Sequence, residues 1–81
     1  MHESLLLVSQ HFSNYSPLIQ DLFQSSDMFR EICMDYHKCN NAFHFWSNQS
    51  SQEALLRKQE YSVLLQDLEK EILQKLTILD S

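Results

Sequence analysis

The chain has no glycine in 81 residues, where average usage would supply about six. That absence removes the residue that tight β-hairpin turns use for positive φ. It also removes the glycine-rich loops that cradle phosphates and dinucleotides. Proline occurs once, at Pro17. Basic residues are few as well: six Lys and Arg stand against eleven Asp and Glu, for a net charge of −5. Nucleic-acid binding draws on cationic neutralisation of phosphates, so the balance predicts no nucleic-acid partner, and an anionic membrane surface is disfavoured likewise. No long apolar run is present either. The uncharged stretch from Ser4 to Gln20 contains Ser, Gln, His, Asn and Pro, and Leu5-Leu6-Leu7-Val8 is too short for a membrane span or a signal core. The expectation is a cytoplasmic protein.

What is present reads as helix: 43% of the residues are hydrophobic and 21% charged, enough to fold. The predicted fold is all-α, a single helical domain over 1–81. An N-terminal arm over 1–24 carries one or two short helices, and a long antiparallel helical hairpin over 25–81 turns near 47–50. Caps mark the boundaries. Ser16 before Pro17 predicts a helix start, with Leu18, Ile19, Leu22 and Phe23 on one face. Ser25-Ser26-Asp27 supplies capping oxygens for the next helix, and Ser50 with Glu53 fits a capping box. Asn48 is the expected left-handed residue between the long helices. Leu5, Val8 and Phe12 predict a further amphipathic segment in the arm.

Phe29, Ile32, Tyr36, Cys39, Phe43 and Trp46 step by three, four, three, four and three, a heptad seam. Met28 and Ala42 widen it on one side and Cys33 on the other. In the second long helix the corresponding face is Tyr61, Leu65, Leu68, Ile72, Leu76 and Leu79, and Leu55, Leu64 and Leu73 extend it beyond what one partner helix covers. Small domains bury a modest share of their surface. The surplus therefore predicts a homo-oligomer, a dimeric four-helix bundle first, and folding back of residues 1–24 is the alternative cover. The expected interface comprises the seam from Phe29 to Trp46 with Leu65, Leu68, Ile72 and Leu76. Phe45 lies outside the heptad, so Phe45 and Trp46 form a candidate docking patch for another protein, and the Leu5–Val8 segment is a second one.

Leu18-Ile19, then Asp27-Met28-Phe29, Ile32, Asp35-Tyr36-His37 and Cys39, resembles the YdcH-like family of small bacterial proteins of unknown function. Leu56-Arg57-Lys58-Gln59 and Gln66-Asp67-Leu68-Glu69 look similar to the family's second long helix. The resemblance spans about residues 15–76 and implies a short helix followed by a helical hairpin, with no activity attached. Cys39, Phe43 and Trp46 depart from it by replacing aliphatic residues.

Chemistry-bearing groups are sparse. Cys33 and Cys39 are six apart on one helix, about 9 Å in rise, so no intrachain disulfide is expected. Cys33 and His37 stand at i and i+4 and could share a metal ion. His44 is too far along the helix to join them, so a full site would need His2, His11 or a second subunit. Cys33 could serve as a nucleophile and the histidines as general bases, but nothing supplies an oxyanion site, so neither catalysis nor a cofactor is expected. The sequence thus predicts a non-catalytic, self-associating adaptor or accessory protein, with a metal- or redox-responsive protein using Cys33 and His37 as the alternative.

Overall fold

The computed structural model describes residues 2–80, with side chains through residue 78. Four α-helices and one 3₁₀ turn account for nearly all of them, and no strand occurs among the described residues. Helix α1 spans Glu3–His11, the 3₁₀ turn Ser13–Tyr15, α2 Ser16–Ser25, α3 Asp27–Ser47 and α4 Gln52–Asp80.

Local chemistry explains each boundary. The imidazole of His2 accepts the Ser4 amide at 3.1 Å through Nδ1 and so caps α1. Ser26 Oγ accepts the Phe29 amide at 3.2 Å, the cap expected for α3. At the α2–α3 corner Arg30 donates to the Phe23 carbonyl (2.9 Å), the Gln24 carbonyl (3.2 Å) and the Asp27 carboxylate (2.9 Å). Its guanidinium also sits over the Phe23 ring. One side chain thus satisfies carbonyls that the end of α2 leaves open.

Three expected caps are displaced. α2 begins at Ser16 with Tyr15 as N-cap, and Ser16 Oγ instead accepts from the Gln20 side chain through Nε2. The preceding 3₁₀ turn extends the helical path one residue upstream, which moves Ser16 inside. α4 is capped by Ser51, whose Oγ accepts the Ala54 amide at 3.1 Å, so the Ser50–Glu53 capping box does not form. Glu53 instead lies 3.9 Å from Arg57. Asn48 lies at φ −89° and ψ 0° rather than in the left-handed region, and no described residue has positive φ. Its amide and that of Gln49 bond back to the carbonyls of Phe45 and Trp46. The chain then leaves through a four-residue connection, long enough to turn without a left-handed residue.

α3 and α4 pack along one another. Met28 meets Lys75, Tyr36 meets Glu69, and Phe43 lies beneath Lys58: numbers rise on α3 as they fall on α4. Phe29, Ile32, Cys33 and Tyr36 from α3 join Leu65, Ile72 and Leu76 from α4 in one core. α1 and α2 both pack on α3 and complete that core with Val8, Ile19 and Phe23. The apolar arm therefore covers the chain's own helices, one of the two roles its sequence allows. Val8 is wholly buried, Leu5 and Leu7 are half-buried, and Leu6 alone of that run is exposed.

α1 seats on α3 with two buried serines, Ser4 and Ser9. Ser4 Oγ lies 3.3 Å from His37 Nδ1, whereas Ser9 Oγ has no hydrogen-bond partner. A buried hydroxyl without a partner costs about 1–3 kcal/mol, and alanine is the better helix former. Ser9→Ala should therefore raise the thermal midpoint by several degrees, about 4–8 °C for each kcal/mol gained in a chain of this size. Ser4→Ala, which removes a bond, should lower it. A fall in the melting temperature of Ser9→Ala would mean that its hydroxyl has a native partner.

Candidate protein-docking surfaces

The residues expected at an intermolecular interface divide into three groups. Phe29, Ile32, Tyr36, Leu65, Ile72 and Leu76 are buried in the chain's own core, so they are not a surface available to a partner. Their heptad spacing is met by intrachain packing of α3 on α4 and by the N-terminal arm. Cys39, Phe43 and Leu68 are half-buried at the core's margin, as is Trp46 at the end of α3. Phe45 is 57% exposed and meets Trp46 edge-on, with ring centroids 5.0 Å apart. The side chain of Leu79 lies outside the described residues.

The two flanks of α3 have opposite fates. On the Cys33 flank α1 covers the helix, and Cys33 is fully buried. On the Met28 flank the helix is open. There Asp35, Lys38 and Cys39 of α3 face Leu64, Asp67, Leu68 and Glu71 of α4 across a groove of about 400 Å³. Toward the start of α3 a second depression of about 280 Å³ lies beside Met28, Phe29 and Lys75. Glu71 and Lys75, at i and i+4, do not bond; the Lys75 ammonium contacts Met28 Sδ at 3.9 Å instead.

A different apolar surface runs along the outside of α4. Leu55, Leu56 (61% exposed), Val63 (57%) and Leu73 point away from the core. Gln52, Gln59 and Gln66 recur among them every seven residues, and all three are exposed. Charges of both signs lie along the same stretch, with Lys70 and Glu69 beside Gln66 and Leu73. The signal for it was in the sequence as the surplus of leucine on the second long helix.

The pairing of Cys33 with His37 takes a different form from a ligand pair. Burial pushes the Cys33 thiol up to about 12 from an ordinary 9.0, so the thiolate that would bind metal or react is disfavoured. His37 faces Ser4, and its Nε2 lies 3.9 Å from Glu3 and 3.5 Å from Asn41. His11 is drawn to Glu69 at 3.7 Å with its ring against Tyr36, and His2 packs on Phe23. The histidines thus tie α1 to its neighbours rather than converge. Among the described residues no group of three or more His, Cys, Asp or Glu side chains is placed to hold a metal ion. Both cysteines are free thiols. Burial, and then the nearby Asp35 carboxylate, also raises the Cys39 thiol. No described helix is long and apolar enough to cross a membrane. No family model, curated protein or solved structure matches the chain.

Proposed function

We propose that this chain is a non-catalytic, self-associating helical protein that acts as a protein–protein interaction adaptor or accessory protein. In this reading two short helices precede an antiparallel helical hairpin, and two copies join through their hairpins as a dimeric bundle. The observation that carries it is the exposed apolar outer face of α4, with Leu56 and Val63 at its centre. A twofold pair built there buries leucine and valine against each other together with the glutamines that recur among them, beside charges of both signs. The YdcH-like resemblance over about residues 15–76, and a bacterial cytoplasmic setting with it, belong to the same proposal. A response to metal or oxidant through Cys33 and His37 is the less supported alternative, because the thiol is sealed beneath α1.

Light scattering on the full chain at about 100 μM, a concentration that populates even a dimer of ~10 μM dissociation constant, tests the self-association. The expected mass is twice the 9.7 kDa of one chain. Leu56→Glu/Val63→Glu, with both sites already exposed, should keep its helicity and return to the single-chain mass. A wild-type protein of single-chain mass would overturn the proposed dimer.

A further inference from the structure

The open groove between α3 and α4 differs in charge from the outer face of α4. Cys39, Leu64 and Leu68 supply its apolar floor, and Asp35, Asp67 and Glu71 rim it against one ammonium, that of Lys38. None of those three carboxylates is held in an ion pair, although Asp27, Glu53 and Glu60 on the same two helices are matched by arginines. Along α4 the groove runs from Leu64 to Glu71, seven residues or about 10 Å of helix axis, and the depression beside Met28, which carries Lys75, is separate from it. It is thus a groove about two turns of α4 long, apolar along its floor and acidic on its rim.

Two kinds of occupant meet different forces there. A second copy placed on the groove by a twofold axis would set three carboxylates against three, with one Lys38 from each copy between them. Like charges held together in this way are strongly disfavoured. A helix with apolar residues at i, i+3, i+4 and i+7 and with Lys or Arg beside them would match both floor and rim. We propose that this groove docks a basic amphipathic helix of a partner protein. The proposal rests on the reading of the chain as an interaction protein and names the partner's chemistry on a face separate from the one assigned to self-association.

Fluorescence anisotropy with the full chain and three labelled peptides of equal length tests it. The first peptide has leucines on one helical face flanked by lysines. The second has the same composition with the leucines scattered around the helix. The third keeps the leucine face and replaces lysine by glutamate. Only the first should bind, and its affinity should fall at least about fivefold when salt is raised from ~50 to ~300 mM. Asp67→Asn/Glu71→Gln should weaken it by a similar factor, whereas Asp21→Asn, away from the groove, should not. Equal binding of the scattered peptide, binding of the glutamate peptide, or indifference to Asp67→Asn/Glu71→Gln would overturn the proposal. So would failure of all three peptides to bind. Leu56→Glu/Val63→Glu should retain peptide binding while losing the dimer, so the two readings fail separately.

Discussion

Ile72→Ala should cost about 2–5 kcal/mol, the range for truncating a fully buried aliphatic side chain to alanine. Ile72 has no exposed surface and belongs to a core to which every α-helix of the fold contributes. Losing three carbons there forfeits their transfer from water and leaves a void that four helices anchored to one another cannot collapse into freely. Stability of ordinary domains is about 5–15 kcal/mol, and small ones lie toward the lower end. The variant should therefore be partly unfolded at 37 °C and show a urea midpoint well below that of the parent. Leu73→Ala, one position on, is the internal control. Leu73 is 41% exposed in the single chain, and at a dilution where the chain is monomeric its truncation should cost less than about 1 kcal/mol, as substitutions away from packed features do. Comparable losses at both positions would mean that α4 is rotated about its axis relative to this core.

The contrast between Ile72 and Leu73 also shows where the sequence was legible. The three-four spacing from Phe29 to Trp46 and from Tyr61 to Leu76 marks a helical face, and its central residues are the buried ones. Spacing alone does not say whether a face meets its own chain or a copy. The leucine surplus argued for a second copy, yet part of the uncovered surface on α3 is taken by α1 and α2. The sequence did identify both flanks of α3, Met28 with Ala42 on one and Cys33 on the other. Nothing in its periodicity distinguished the flank that α1 seals from the one left open. That choice turns on Ser4 and Ser9, buried serines that a hydrophobicity pattern reads as solvent-facing. Caps slipped by a residue because serine runs offer several adjacent oxygens: Ser50 and Ser51 are chemically equivalent, and only the path of the connection selects Ser51. The Arg30 clasp depends on the angle between α2 and α3, which linear spacing does not contain. The candidate surfaces were legible in kind, since Leu64 and Leu73 stood out as surplus. The acidic rim was not, because Asp35 and Asp67 come together only once α3 and α4 are paired.

Stability should fall steeply at alkaline pH, and two buried groups set the range. The Cys33 thiol is pushed by burial from 9.0 to about 12. Tyr36 is raised from 10.0, first by burial, then by the charge of Glu69 and by the 3.1 Å bond its hydroxyl donates to that carboxylate. Each group keeps its proton longer in the folded chain than in the unfolded one. Below about pH 9 both states are protonated at these positions and nothing is lost. Above it the unfolded state releases the Cys33 proton first, and above about pH 10 that of Tyr36 as well. Fewer bound protons in the unfolded state mean that unfolding is favoured as pH rises, by about 1.4 kcal/mol per pH unit for each group. By pH 11 the combined loss approaches ~4 kcal/mol, comparable to the whole stability of a small helical domain. Urea midpoints followed by circular dichroism should be level from pH 7 to about 8.5, then drop with a slope that steepens past 10. Cys33→Ala should flatten the first part of the descent and Tyr36→Phe the second, whatever each does to stability at pH 7. A midpoint that stays level to pH 11 would mean that water reaches the thiol and the phenol, and with them the seam between α1, α3 and α4.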